Sequence, residues 1–137
     1  MQVNRAQRLL GAALALVSIA GLAGFALHMR LVKSFPTEDQ VVQQAPADIQ
    51  LWFSQVPELS LTKVRLLGPE DVTVTVAKAV ATDDDKSVKL AIVDSLPEGT
   101  YSVTWQTASP DGHNVRGEYA FTYSPTPTDE PGEPDGR

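Results

Sequence analysis

The stretch that most constrains the fold of this chain is residues 99–123, in which two alternating runs flank a tight turn. Large apolar side chains occupy every second position on both sides of the turn: Tyr101, Val103 and Trp105 before it, and Tyr119, Phe121 and Tyr123 after it. A period of two is typical of strands with one buried face. Between the runs, Pro110, Asp111 and Gly112 are residue types that favour turns. The stretch therefore predicts a long β-hairpin.

The turn of this hairpin also carries chemistry. Asp111 and His113 are two residues apart, and in extended geometry this spacing places a carboxylate and an imidazole on the same side. Such a pair is half of a metal site. The alternative is an ordinary exposed turn, in which Asp111 and Gly112 serve the backbone and His113 only makes local hydrogen bonds.

Composition limits the kind of metal that this chain can bind. The sequence of 137 residues contains no cysteine, which excludes disulfides, iron–sulfur clusters, thiolate zinc sites and blue-copper centres. Any metal would therefore have nitrogen and oxygen ligands. The formal net charge of −6 becomes about −8 when Arg5 and Arg8 of the N-terminal segment are left out. An acidic balance of this size argues against nucleic-acid binding.

The N-terminal segment, residues 1–27, has the pattern of an export signal. Arg5 and Arg8 precede an uncharged apolar run over residues 9–27, which predicts a signal peptide that directs the chain to the periplasm or another extracytoplasmic location. The run is also close to the length that spans a bilayer, so the alternative is an uncleaved anchor that tethers the protein to the membrane. Cleavage after Ala26 would leave Leu27 first, and cleavage one bond later would leave His28 first.

The middle of the chain reads as a series of strands. Ile49, Leu51 and Phe53 alternate with less apolar neighbours, and Trp52 is expected on the opposite side. Runs rich in β-branched residues follow over 61–67, 72–80 and 88–93, and an earlier strand is expected from Leu31 to Val42, interrupted by a turn at residues 35–36.

The remaining segments are interpreted as turns and a tail. Asp83 to Lys86 reads as a solvated hairpin turn, because it lacks the spaced oxygen ligands and the glycine of a calcium loop. Residues 125–137 are acidic and rich in proline, which predicts a disordered tail. About seven short strands without a helix indicate an all-β domain over residues 28–124. We expect a small Greek-key β-barrel or sandwich of immunoglobulin-like size, cupredoxin-like in shape.

The order of several short motifs resembles a known family. The motifs are HMRLVKSFP at 28–36, LWFS at 51–54, LPEGTYSVTW at 96–105 and SPDGHNVRGEYAFT at 109–122. In this order the chain resembles the CopC family of periplasmic copper-binding proteins, which function in copper resistance. The resemblance implies a Cu(II) ion held by a histidine at the mature N-terminus, through its amine and imidazole, and by the Asp and His of the D-G-H turn. The corresponding residues here are His28, Asp111 and His113.

The donor set that the resemblance implies suits Cu(II). Two imidazoles, a carboxylate and an amine fit a tetragonal Cu(II) ion, and both histidines of the chain belong to the motif. The resemblance therefore implies an exported protein that is not an enzyme and that buffers or delivers copper in copper homeostasis. Its implied partners are the copper ion and an inner-membrane copper transporter of the CopD type.

Two departures from the family pattern affect the expected chemistry. Some members of the family carry a methionine-rich Cu(I) site, whereas Met1 and Met29 are the only methionines here. We therefore predict a protein that binds only Cu(II). The family also often has a Glu after the F-S of the second strand, and this chain has Gln55.

Two other functions are weighed against copper binding. One is a metal-free immunoglobulin-like interaction domain, which would take up no Cu(II). The other is a copper oxygenase, in which an N-terminal histidine and a second histidine hold the metal. The carboxylate of Asp111 argues against the oxygenase, because it would fill an equatorial position that an oxygen-activating centre leaves open.

Overall fold

The protein is a two-layer β-sandwich. The computed structural model describes residues 28–125, so the predicted leader over 1–27 and almost all of the predicted tail over 125–137 lie outside the described residues. Within residues 28–125, nine strands form a four-stranded sheet in the order β1-β3-β7-β6 and a five-stranded sheet in the order β2-β9-β8-β4-β5. The strands are β1 (Leu31–Phe35), β2 (Val41–Val42), β3 (Asp48–Phe53), β4 (Lys63–Leu67), β5 (Thr73–Val74), β6 (Val80–Ala81), β7 (Ser87–Ala91), β8 (Gly99–Ala108) and β9 (Asn114–Tyr123).

Strands β8 and β9 form the predicted hairpin, which is the longest pairing in the sandwich. The two strands are antiparallel, with paired residues from Gly99 and Tyr123 at one end to Ala108 and Asn114 at the other. The alternating side chains named above are buried, apart from Tyr123, which is half-buried. The hairpin prediction is confirmed.

Strand β3 supplies the facing half of the core. Ile49 and Leu51 are fully buried and Phe53 is 3% exposed, which confirms the predicted alternation. The rings of Phe53 and Trp105 form a T-shaped pair with a centroid distance of 5.2 Å, and this contact joins the two sheets. Burial of each such side chain contributes about 1.5–3 kcal/mol. Trp52 points away from this core, and its ring lies 4.4 Å from the Nζ of Lys33.

The sequence predicted about seven strands because it did not show where the chain changes sheets. The segment from Leu31 to Val42 forms two strands, β1 in the four-stranded sheet and β2 beside β9 in the other. The run over residues 72–80 divides in the same way, since β5 pairs with β4 whereas β6 pairs with β7. Thr75 lies between β5 and β6, and its N–H donates a hydrogen bond of 2.7 Å to the carboxylate of Asp94. Side-chain alternation is the same in both sheets, so it does not reveal such a crossing.

The predicted all-β class is confirmed. The two sheets pack face to face without closing into a barrel, so the sandwich is the correct form of the two that the sequence allowed. Only two three-residue 3-10 helices, Leu59–Leu61 and Pro69–Asp71, interrupt the strands in the described part. No helix within residues 28–125 is long and apolar enough to cross a membrane.

Candidate metal centre

The predicted site residues lie at one end of the sandwich, which we call the turn end. Strand β1 begins there, because Leu31 pairs with Phe53 at the end of β3. Strand β8 ends there, because the carbonyl of Ala108 accepts a hydrogen bond of 3.0 Å from the N–H of Glu58 in the loop that follows β3. The segment before β1, which contains His28, and the β8–β9 turn are therefore at the same end of the domain.

The β8–β9 turn brings Asp111 and His113 into direct contact. The Nδ1 of His113 lies 2.8 Å from the Oδ2 of Asp111, and the His113 backbone N–H donates to Oδ1 at 3.4 Å. Both side chains are open to solvent, with 79% of the His113 side chain and 63% of the Asp111 side chain exposed. The two-residue spacing therefore gives the juxtaposition that the sequence predicted.

The buried residue Ser109 stabilises this turn by hydrogen bonds. It was not predicted as a site residue. Its side chain is buried, with the residue 5% exposed. The Ser109 hydroxyl donates to Oδ1 of Asp111 and lies 3.3 Å from the carbonyl oxygen of His113. Backbone bonds close the turn independently of this hydroxyl, because the Ser109 N–H donates to the His113 carbonyl at 2.9 Å and the Gly112 N–H donates to the Ser109 carbonyl at 2.8 Å. The sequence signal was a hydroxyl residue two positions before the aspartate, a spacing known from side-chain to backbone bonds in turns, although here the hydroxyl bonds to the aspartate side chain.

These contacts favour the ionised form of Asp111. The hydroxyl of Ser109, followed by the ring of His113, lowers the pKa of the Asp111 carboxyl to about 2. A carboxylate that accepts several hydrogen bonds resists protonation, because each donor stabilises the charged form. At neutral pH the turn therefore presents a carboxylate and an imidazole, which are both ligand types for Cu(II) or Zn(II).

The structure does not group His28 with this pair. No cluster of three or more His, Asp or Glu side chains suited to a metal ion occurs among residues 28–125. His28 is exposed and precedes Met29, which is buried in the core at 4% exposure. Arg30 is held by a hydrogen bond from its N–H to the Ser54 Oγ at 3.1 Å. The pair of Asp111 and His113 is thus preformed, and the third predicted ligand lies at the same end without joining it.

A second acidic turn, Asp83 to Lys86, also lies at the turn end. It connects β6 and β7 as predicted, and the N–H of Phe53 donates to the Lys86 carbonyl at 2.8 Å. The Oδ1 of Asp84 accepts a hydrogen bond of 3.0 Å from the Lys86 N–H. This carboxylate stabilises its own turn, and no imidazole lies on the turn.

A groove of about 550 Å³ lies on the outer face of the five-stranded sheet. Its charged lining is mostly basic, with Lys63, Arg65 and Arg116 against Glu118. Three cationic side chains repel a metal ion. The groove is therefore a poor candidate for the metal site.

Comparisons with known proteins agree with the fold and with the family that the sequence resembles. A family model described as the CopC domain matches residues 31–124. The copper resistance protein C of Xanthomonas campestris pv. juglandis is 37% identical over 111 residues, which cover 77% of this chain and 86% of that protein.

Two solved structures are similar along most of their length. CopC from Methylosinus trichosporium OB3b superposes with a TM-score of 0.66 at 28% identity, covering 72% of this chain and 95% of the other. PcoC, a methionine-rich copper resistance protein from Escherichia coli, gives a TM-score of 0.65 at 31% identity, covering 71% of this chain and 99% of the other.

Proposed function

The chain belongs to the CopC family, and on that premise we propose that it is an exported Cu(II)-binding protein that buffers copper or delivers it to a partner. The observation that carries this proposal is the preformed pair of Asp111 and His113, exposed on a turn that buried Ser109 anchors. Relatives named as copper resistance proteins support copper as the metal. The proposed ligands are His28, Asp111 and His113.

The donor chemistry supports Cu(II) in preference to Cu(I). Imidazole and carboxylate are harder ligands than thioether, and Cu(II) is the tightest binder among the divalent first-row ions at such sites. Met29 is the only methionine in the described part, and its burial at 4% exposure keeps the thioether away from the surface. Residues 28–125 therefore offer no accessible thioether of the kind that favours Cu(I).

The proposal describes a binding protein rather than an enzyme. If Asp111 and His113 both ligate the ion, the carboxylate occupies a position that an oxygen-activating copper centre would leave open. The proposed partner is an inner-membrane copper transporter of the CopD type, which the exported protein would meet outside the cytoplasm. The export signal over residues 1–27 is part of the proposal.

Titration of the purified exported protein with Cu(II) tests the proposal. We expect one Cu(II) per chain and a tetragonal electron paramagnetic resonance spectrum with nitrogen couplings. The variant His113→Ala should lose affinity by orders of magnitude. Two equivalents of copper per chain, or an unchanged affinity in that variant, would contradict the assignment. No uptake at all would favour the metal-free interaction domain.

A further inference from the structure

We propose that Ser109 is a positioning residue for the candidate copper site: its hydroxyl anchors one oxygen of Asp111 so that the other oxygen is presented to the metal. This inference rests on the proposed function, because it concerns the same site. It assigns a role to a residue that is neither a predicted ligand nor exposed. The structural basis is the difference between the two oxygens of the Asp111 carboxylate.

The two oxygens of Asp111 have different partners. Oδ1 accepts hydrogen bonds from the Ser109 hydroxyl and from the His113 backbone N–H, so its lone pairs are used inside the turn. Oδ2 lies 2.8 Å from Nδ1 of the exposed His113 ring. Rotation of the carboxylate would break the bond to Ser109. The Oδ2 atom has this one contact and therefore keeps a lone pair for a metal ion beside the imidazole.

Burial makes Ser109 an effective anchor. An exposed serine would exchange its hydrogen bond with water and would select no orientation of the carboxylate, whereas Ser109 is 5% exposed and sits directly after the last residue of β8. Neighbours that orient metal ligands commonly change metal affinity by about 10–100-fold when they are removed. A preordered carboxylate also loses less side-chain freedom on binding than a mobile one.

The backbone of the turn allows this role to be separated from folding. The bonds between Ser109 and His113 and between Gly112 and Ser109 join main-chain atoms, so they persist when the hydroxyl is removed. The variant Ser109→Ala should therefore keep the turn closed while it frees Asp111 to rotate. Ser109→Thr retains a hydroxyl, and Ser102→Ala removes a hydroxyl from the outer face of the same strand as a matched control.

The test is a double-mutant cycle with Asp111→Asn, measured by Cu(II) titration of the exported protein. Ser109→Ala should weaken Cu(II) binding by about tenfold. In the Asp111→Asn background the same change should cost less than about twofold, because Ser109 acts through the carboxylate. Ser109→Thr should recover most of the affinity, and Ser102→Ala should match the wild type. A loss of equal size in both backgrounds would overturn the proposal, since it would show a general effect on the turn.

A readout without metal separates this inference from the copper proposal. Nuclear magnetic resonance of the copper-free protein should show the Asp111 side chain in one rotamer in the wild type and averaged over several in Ser109→Ala. The thermal unfolding midpoints of Ser109→Ala and Ser102→Ala should be similar. If wild-type and Ser109→Ala proteins bind Cu(II) equally well, or if Asp111 is already averaged in the wild type, Ser109 is not a positioning residue even though the copper site stands. If neither protein binds Cu(II) but the rotamer changes as expected, the proposed function fails while the anchoring by Ser109 is upheld.

Discussion

Two turns at the same end of the sandwich use the same backbone device with different chemical results. In each, an aspartate accepts a hydrogen bond from the N–H two residues later: Asp84 from Lys86 at 3.0 Å, and Asp111 from His113 at 3.4 Å. In the first turn the later residue is a lysine, which adds a positive charge. In the second it is a histidine, whose ring Nδ1 lies 2.8 Å from Oδ2, the other oxygen of the carboxylate. The residue two positions after the aspartate therefore decides whether an acidic turn is a candidate metal site.

The hydroxyl groups of the two turns differ as well. The Thr82 hydroxyl donates to the backbone carbonyl of Asp84 at 3.1 Å and accepts from the Asp84 N–H at 3.2 Å, so it stabilises the chain without touching the carboxylate. The Ser109 hydroxyl instead bonds to the carboxylate itself. Local turn stability and presentation of a ligand are thus separate tasks, and each of the two hydroxyl residues performs one of them.

The largest effect is expected when the β8–β9 turn receives a lysine at the position of His113, as in the Asp83–Lys86 turn. The variant His113→Lys replaces a nitrogen ligand by a cation, so Cu(II) affinity should fall by orders of magnitude while folding is retained, because 79% of the His113 side chain is exposed. Copper titration and circular dichroism measure the two quantities. Asp84→Asn is the matched control and should bind copper like the wild type. A similar loss in both variants would mean that the acidic Asp83–Lys86 turn contributes to the site.

The next largest effect concerns the N-terminal amine of His28. This amine is proposed as a ligand beside the β8–β9 turn and not beside the Asp83–Lys86 turn. A protein beginning at His28 offers a free amine and a ring nitrogen, whereas one beginning at Leu27 replaces that amine by a peptide nitrogen, which gives up its proton reluctantly. The His28 form should bind Cu(II) at least about tenfold more tightly, equivalent to roughly 1.4 kcal/mol. Intact mass of the exported protein identifies its first residue, and titration of the two forms measures the difference. Equal affinities would remove the amine from the ligand set.

A smaller effect is expected from the converse exchange in the first turn. The variant Lys86→His places an imidazole two residues after Asp84, as in the second turn. We expect it to add a second Cu(II) equivalent that is bound at least about tenfold more weakly than the first, because no buried hydroxyl holds the Asp84 carboxylate. Electron paramagnetic resonance at two equivalents of copper would detect it. A second site as tight as the first would show that spacing alone is sufficient.

The smallest effect is on the proton equilibrium of Asp111 without copper. Its pKa of about 2 lies below the ordinary value of 3.8, so its contribution to folding is present above pH 3.8 and is lost as the pH falls through about 2. Ser109→Ala removes the main cause, and the pKa of Asp111 should rise toward the ordinary value. Carbon-detected titration of the carboxyl group measures this shift. An unchanged pKa in the variant would mean that the His113 ring is its main cause.

The sequence predicted the long hairpin better than the short strands. The alternation covers five residues in each strand, Tyr101 to Trp105 and Tyr119 to Tyr123, and it lies within a hairpin of ten residue pairs whose register follows from the turn. Strands β2, β5 and β6 have two residues each, which is too short for a period to appear. Their positions depend on contacts between distant parts of the chain, such as the pairing of β2 with β9.

The candidate site, like the fold, was predicted from the sequence where it depends on neighbouring residues and not where it depends on distant ones. The spacing of Asp111 and His113 was enough to predict that their side chains lie on the same side, although the reason given was extended geometry and the contact is made within a turn. The role of Ser109 depends on its burial at the end of β8, which alternation around the turn does not indicate. The place of His28 depends on the path of the chain before β1. That path follows from the burial of Met29 and from the bond to Ser54, two long-range contacts that no local pattern encodes.

The burial of Met29 also limits the entropy that His28 would lose on binding a metal ion. The chain is already ordered at Met29 by the core and at Arg30, whose carbonyl accepts a hydrogen bond of 2.9 Å from the Ser54 N–H. The proposed mature N-terminus, His28, is the residue directly before this ordered segment. Ordering the backbone of one residue costs about 1–2 kcal/mol, whereas a free arm of ten residues would cost about ten times as much. Burial of Met29, which is not a proposed ligand, thereby lowers the entropy cost of using the chain end as a metal ligand.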